Sequence, residues 1–112
     1  MTTEQIASGV GMPMAVAVQI DFRGATLEQY DQVNERIGLL PGGPASPQEL
    51  FHWVTKTDDG FRVVDVWDSR EAFEKFAQEK LTPILREVGV TNEPAIQFFE
   101  IYNYLAGGRW KS

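Results

Sequence analysis

The chain has 112 residues, a formal net charge of −6 at pH 7 and no cysteine. This length supports one domain with a single hydrophobic core. The acidic balance disfavours nucleic acid as a partner, and the missing cysteine excludes disulfides, thiol nucleophiles and thiolate metal sites. No apolar run approaches the roughly 20 residues of a membrane-spanning helix, and the first residues lack the basic start of a secretory signal. We therefore expect a cytoplasmic protein without a membrane partner.

The first half of the chain predicts one strand and one helix. Residues 1–12 have no clear period and predict a flexible tail. Residues 14–22 alternate apolar with small or polar side chains, which is typical of a half-buried strand. Thr26 and Gln29 have the spacing of a capping box, and the helix that they begin is expected to end at Gly38. Residues 39–48 are rich in proline and glycine and predict an irregular connection.

A hairpin and a long helix follow. Residues 50–57 and 61–67 are rich in Val, Phe, Trp and Thr, and they flank Asp58-Asp59-Gly60, where glycine would supply the positive φ of a tight turn. Asp68 and Glu71 have the spacing of a reciprocal helix cap. The apolar positions that follow predict a helix up to residue 88, with a kink or restart at Pro83.

Residues 95–105 predict the last strand, so the element order is β-α-β-β-α-β. Right-handed crossovers then place the first and third strands at the centre of a four-stranded antiparallel sheet, with both helices on one face. This is an α+β, ferredoxin-like arrangement. We expect it to form one domain over residues 13–106, with residues 107–112 as a short C-terminal tail.

The hairpin carries large apolar residues on both of its sides. By parity, one set is Phe51, Trp53, Val63 and Trp67, and the other is Val54, Val64 and Val66, although the length of the turn decides which side faces the helices. Only one side can be covered by the helices, and a bare apolar sheet face is typical of an interface. We therefore expect a homodimer through the sheet faces.

Three segments carry a resemblance to a known group of proteins. They are Val-Val-Asp-Val-Trp-Asp-Ser at 63–69, Glu-Ala-Phe-Glu-Lys-Phe at 71–76 and Leu-Thr-Pro-Ile-Leu at 81–85. With the preceding strand and helix, they resemble the dimeric α+β barrel superfamily and, within it, antibiotic-biosynthesis-monooxygenase-like small bacterial proteins. The resemblance implies a barrel made from two sheets and a ligand pocket between each sheet and its own helices.

The same resemblance bears on cofactors. Haem-using relatives take a histidine from the second helix, and residues 68–88 contain none. We therefore expect no cofactor. Cofactor-free oxygenation of an aromatic substrate needs only a pocket that shields and orients a reactive phenolate.

His52 is the only histidine and the candidate catalytic residue. Its functional role would be that of a base or a ligand-orienting donor, because its pKa lies near neutrality. The alternative is a histidine with a purely structural role, held by hydrogen bonds to neighbouring groups. A metal site is not expected, since no carboxylates stand at ligand spacing from His52 in the sequence.

Five further residues are candidate substrate-binding groups. Tyr30 and Asn34 lie on the first helix, where Asn34 interrupts the apolar stripe, and both could join His52 at a pocket wall. Trp53 and Trp67 are equally typical of a core or an interface. Asp65 lies between two valines in the middle of a strand.

Asp65 has two interpretations. It pairs with Arg62, Lys56 or a residue of a partner chain, or it acts as an acid or base with a raised pKa. We favour the pairing.

Two functions fit these observations equally. The first is an enzyme, a cofactor-independent monooxygenase or an isomerase-like protein, that acts on an apolar or aromatic substrate. The second is a non-catalytic homodimer that binds a small molecule. A structural module with a filled interior is a third interpretation, and fold analogy alone does not choose among them.

Overall fold

The computed structural model describes residues 15–103 and residue 105. Its elements are strand β1 (Val16–Arg23), helix α1 (Leu27–Ile37), strands β2 (Glu49–Thr57) and β3 (Gly60–Trp67), helix α2 (Arg70–Phe76), a π-helical turn (Ala77–Leu81), helix α3 (Thr82–Glu87) and strand β4 (Ala95–Glu100). This order confirms the predicted β-α-β-β-α-β pattern. The predicted tails at 1–12 and 107–112 lie outside the described residues.

The four strands form one antiparallel sheet in the order β2-β3-β1-β4. The first and third strands are therefore central, as predicted. The last strand ends at Glu100, earlier than the predicted residue 105. Its partner β1 begins at Val16, which lies opposite Glu100, so no β1 residue continues the ladder past that point.

The hairpin turn is shorter than the sequence suggested. Thr57 pairs with Gly60, so Asp58 and Asp59 alone form the loop. Gly60 is not among the residues with positive φ. It is needed because a Cβ there would lie 1.9 Å from the carbonyl oxygen of Phe22 on the neighbouring strand, a distance that no side chain tolerates.

The two-residue loop decides which residues share a face. Trp53 lies opposite Val64, and Val54 lies opposite Val63. The sequence pattern groups Phe51 and Trp53 with Val63 and Trp67, and the structure corrects this. From Phe51 to Thr57, an odd-numbered residue of β2 shares its face with an even-numbered residue of β3.

One face of the sheet is covered by the helices and holds the core. The core side chains are Val16, Val18, Ile20, Phe22, Phe61, Val63 and Trp67 from the sheet, with Val33, Phe73 and Leu85 from the helices. On the opposite face, Phe51, Trp53 and Phe99 are 44–48% exposed. We refer to these as the covered face and the open face.

The helical segment after β3 begins one residue later than predicted. Ser69 is the N-cap, and its Oγ accepts a hydrogen bond from the N–H of Ala72 at 3.0 Å. Asp68 does not cap the helix, because its own N–H still donates to the carbonyl of Gln48 beside the sheet. At the predicted restart, α3 begins at Thr82 with Pro83 in its first turn, directly after the π-helical turn.

Within residues 15–103, no helix is both long and apolar enough to cross a membrane.

Candidate functional site

A pocket lies between the covered face and the helical layer. The cavity has a volume of about 50 Å³ and opens to solvent. The apolar lining consists of Ile20, Phe22, Val33, Ile37, Leu39, Phe61, Val63, Phe76, Leu81 and Leu85. The polar lining consists of Tyr30, Asn34, Glu49, His52 and Asp65.

A β-bulge brings Glu49 into this pocket. Glu49 and His52 are three residues apart, which in a regular strand would place them on opposite faces. The register shifts between Glu49 and Phe51, so Leu50 has no partner in the ladder. Glu49 therefore lies opposite Trp67 and points to the covered face together with His52, which lies opposite Asp65.

His52 is bonded to two carboxylates through one nitrogen. Its Nδ1 lies 2.6 Å from Asp65 Oδ1 and 3.0 Å from Glu49 Oε2. The side chains of Asp65 and Glu49 are only 6% and 4% exposed, so both carboxylates are withdrawn from water. The Nδ1 position must carry the hydrogen of this contact, because a carboxylate oxygen can only accept.

The other nitrogen of His52 contacts Tyr30. The distance between Nε2 and the Tyr30 hydroxyl is 2.5 Å, and the two rings lie nearly parallel with centroids 5.8 Å apart. Tyr30 is also fixed by an edge contact with Phe61, whose ring centroid is 5.5 Å away. Both nitrogens of His52 are thus occupied.

The pKa of His52 is raised from 6.5 to about 11. Burial by itself would lower this pKa, but the hydrogen bonds to Asp65 and then Glu49 outweigh burial because they favour the imidazolium. Burial raises the pKa of Glu49, and the nearby charge of Asp65 adds to that rise, whereas the hydrogen bond with His52 opposes it. Because its pKa is raised, His52 is protonated on both nitrogens at neutral pH and acts only as a hydrogen-bond donor.

No family model and no curated protein matches the sequence. Solved structures that are similar to the chain include the following two. One is a dimeric ferredoxin-like protein of unknown function from Thermobifida fusca, with a TM-score of 0.56 and 18% identity over 80% of this chain and 93% of the other. The second is SnoaB, a cofactor-independent oxygenase from Streptomyces nogalater, with a TM-score of 0.55 and 15% identity over 86% of this chain and 100% of the other.

The chain has a ferredoxin-like fold. The two structures confirm this prediction of the fold. At these identities the likeness is one of architecture, so the chemistry must be argued from the pocket itself.

Four of the predicted site residues line the pocket in this ferredoxin-like domain: Tyr30, Asn34, His52 and Asp65. The side chain of Asn34 takes part in none of the bonds of the His52 cluster. Trp53 does not line the pocket, because the hairpin register places it on the open face. Trp67 lies behind Asp65, is 1% exposed, and donates its Nε1–H to Asp65 Oδ2 at 3.2 Å.

The predicted pairing of Asp65 is corrected. Its partners are His52 and Trp67. Arg62 points to the open face and binds Asp21 instead, with Nε 2.6 Å from Oδ1.

Glu49 is the site residue that the sequence did not reveal. The expectation that no carboxylates stand near His52 at ligand spacing is also wrong, because oxygens of Glu49 and Asp65 and a ring nitrogen of His52 all lie within 4.8 Å of one another. No signal in the sequence marks it. Gln48, just before the strand, has a positive φ of 70°, but neither this angle nor the bulge after it can be read from the local sequence.

Proposed function

We propose that this protein is an oxygenase-type enzyme that acts on a small aromatic molecule bound between its sheet and helices. The observation that carries the proposal is the distribution of polarity in the pocket: its walls are apolar, and its polar side chains gather around the fixed pair of Tyr30 and His52. Such a pocket binds an apolar body and orients one polar group of it. The similarity to a protein described as a cofactor-independent oxygenase supports the reaction type.

The volume of the pocket limits the size of the ligand. Small-molecule sites usually measure roughly 300–1,000 Å³. The cavity of about 50 Å³ is smaller than these sites. Its small volume favours a ligand no larger than a single aromatic ring over a polycyclic one.

The geometry gives separate roles to Tyr30 and His52. Because both nitrogens of His52 are occupied, His52 positions Tyr30 and does not contact the substrate. An imidazolium donates Nε2–H to the oxygen of Tyr30, which leaves the O–H of Tyr30 to bind an oxygen atom of the substrate. Hydrogen bonding of this kind stabilises a phenolate or enolate, and the apolar walls keep water away from it.

The reaction balances without a further reductant. A phenolic substrate loses one hydrogen from an activated ring carbon, one from its hydroxyl and four electrons in all to dioxygen; one oxygen atom becomes the new carbonyl of a quinone, and the second leaves as water. The substrate supplies every electron, so the protein needs to contribute only binding, orientation and the exclusion of bulk water.

The test compares two tyrosines. Tyr30→Phe removes the hydroxyl at the pocket, whereas Tyr102→Phe changes a side chain that is 98% exposed. With a panel of phenols and hydroquinones, we expect the wild type to consume dioxygen and Tyr30→Phe to lose at least about tenfold in kcat/KM, since a lost charge-stabilising hydrogen bond costs at least that much. Tyr102→Phe should behave like the wild type. Equal rates in all three proteins would contradict the proposal.

The alternative function is non-catalytic binding. It is favoured by the complete pairing of His52, which leaves neither of its nitrogens available as a base. A phenol that raises Tm without dioxygen consumption by any member of the panel would support this alternative.

We also propose that the protein is a homodimer whose open faces meet. The exposed Phe51, Trp53 and Phe99 form part of an apolar surface that a second copy would cover. The Thermobifida fusca protein of similar fold is described as dimeric, which supports this arrangement. The cytoplasmic location stays a prediction.

A further inference from the structure

We propose that Glu49, His52 and Asp65 form a binding site for a divalent transition-metal ion such as Zn²⁺. The ligand atoms would be Glu49 Oε2, His52 Nδ1 and Asp65 Oδ1. This inference goes beyond the proposed function, because it concerns what occupies the polar end of the pocket and does not depend on turnover.

The three atoms already converge. His52 Nδ1 lies 3.0 Å from Glu49 Oε2 and 2.6 Å from Asp65 Oδ1. Tetrahedral ligands that are each roughly 2.1 Å from a zinc ion lie about 3.4 Å from one another. The Glu49 contact of 3.0 Å would have to open by about 0.4 Å and the Asp65 contact of 2.6 Å by about 0.8 Å as the ion replaces the proton on Nδ1.

The atoms facing away from the convergence point are held by other groups. Trp67 Nε1–H donates to Asp65 Oδ2 at 3.2 Å, and the N–H of Ser46 donates to Glu49 Oε1 at 3.2 Å. The hydroxyl of Tyr30 contacts His52 Nε2. Protein metal sites use such outer hydrogen bonds to fix the orientation of each ligand. Here they leave one ligand atom on each residue that is bonded only within the cluster, and these three atoms face one another.

The charges of the cluster favour a divalent ion. Two buried carboxylates bring two negative charges, and one imidazolium returns a single positive charge. A divalent cation bound by two carboxylates and a neutral imidazole makes the site neutral, which matters where solvent cannot screen the charges. A mixed set of imidazole and carboxylate ligands suits zinc and neighbouring first-row metals.

An unpartnered hydroxyl beside the cluster is an independent indication. Ser46 is 6% exposed, and its Oγ has no hydrogen-bond partner among the residues that the structure describes. Its backbone N–H donates to Glu49 Oε1, so Ser46 is a direct neighbour of one proposed ligand residue. A water molecule bound to the ion would supply the missing partner, because three protein ligands leave at least one coordination position open. All three ligands line the pocket, so an open position would be available to a pocket ligand.

The experiment measures metal binding directly. The full-length protein is treated with a chelator, dialysed and titrated with Zn²⁺ by calorimetry, and with Co²⁺ by its visible absorption. We expect one ion per chain, release of protons on binding, and a Co²⁺ spectrum typical of four or five nitrogen and oxygen ligands. Absence of saturable binding at millimolar ion concentration would overturn the inference, while leaving the oxygenase proposal to its own test.

Matched variants locate the site. Glu49→Gln and Asp65→Asn keep the side-chain shape but remove a ligand charge, and each should raise the Kd for Zn²⁺ at least about tenfold. Asp21→Asn removes a carboxylate from the open face and should leave the Kd unchanged. Circular dichroism checks that each variant is folded. If Asp65→Asn does not fold, Glu49→Gln and the Co²⁺ spectrum of the wild type still decide. Binding that is equally strong in folded Glu49→Gln would place the ion elsewhere and overturn the inference.

Discussion

The two faces of the sheet each carry an acidic residue bonded to a basic one, and the two pairs differ in almost every other respect. On the covered face, Asp65 is 4% exposed and shares His52 with a second buried carboxylate. On the open face, Asp21 binds Arg62, whose side chain is 40% exposed. In the open-face pair, one positive charge balances one negative charge. The covered-face cluster has two carboxylates and only one histidine to balance them.

This contrast supports the proposal that the covered-face cluster is functional and the open-face pair structural. Exposed ion pairs contribute little to stability because water screens them, and they need no further explanation. Two carboxylates buried against one imidazole are costly, and residues in such surroundings concentrate at functional sites. The covered face is therefore the better candidate for a chemical site, and the open face is the better candidate for a surface of association.

The largest effect is expected from Asp65→Ala. The substitution leaves His52 with only Glu49 at its Nδ1 and removes the acceptor of the Trp67 indole. Breaking a buried pair by removing one partner costs about 3–5 kcal/mol in the free energy of unfolding. Urea denaturation of the metal-free protein measures it. A loss no greater than that of Asp21→Ala would contradict the distinction between the two faces.

The next effect concerns the open face. Trp53→Asp places a charge within the proposed dimer interface, and we expect the Kd of the dimer to rise at least about 30-fold, or about 2 kcal/mol. Analytical ultracentrifugation measures the change. Leu40→Asp is the matched control, since Leu40 is 74% exposed in the connection between α1 and β2. If the wild type is a monomer, or if both variants behave alike, the open face is not the interface.

The pH dependence of stability should have opposite signs on the two faces. The folded-state pKa of His52 is raised from 6.5 to about 11, so its contribution is complete below pH 6.5 and is lost as the pH rises towards 11. The raised pKa of Glu49 acts in the same direction. The hydrogen bond from Arg62 lowers the pKa of Asp21 below 3.8, so that contribution is present above pH 3.8 and is lost in acid.

Urea denaturation between pH 6 and pH 9 tests this contrast, because few other groups titrate in that window. In metal-free wild-type protein the free energy of unfolding should fall across the window, and His52→Gln should remove most of that slope. Asp21→Asn should keep the slope. A wild type that becomes more stable towards pH 9 would refute the assignment of an imidazolium to His52.

The smallest effect is expected from Asp21→Ala. Its partner Arg62 reaches solvent, so the loss should be roughly 0–1 kcal/mol in the free energy of unfolding. Raising the salt concentration should weaken the wild-type contribution further, because salt screens exposed charges. A loss of several kcal/mol would show that the open-face pair is desolvated in the dimer.

Local sequence patterns predicted the elements well because their causes are local. The capping box of Thr26 and Gln29 forms as predicted, with both hydrogen bonds present. The restart near Pro83 has the same kind of cause, since proline removes a helical N–H wherever it stands. Ser69 replaces Asp68 as the second cap because a bond to Gln48, distant in sequence, holds Asp68 against the sheet.

The sequence predicted some residues of the candidate site and missed another, depending on whether a residue stands out from its immediate neighbours. Tyr30, Asn34, His52 and Asp65 are conspicuous in the sequence as polar residues within apolar patterns, and all four line the pocket. Glu49 is not conspicuous, because a glutamate at the start of a strand usually faces water.

The amino-acid sequence by itself determined the order of the strands and helices, the helix caps of α1 and the presence of unusual polar residues, since each follows from neighbours a few positions away. Only the tertiary structure decided that the side chain of Trp53 lies outside the pocket and that the side chain of Glu49 lines it. The reason is that strand pairing, the two-residue turn and the bulge at Leu50 set the direction of a side chain through bonds to a different strand, which no local pattern records.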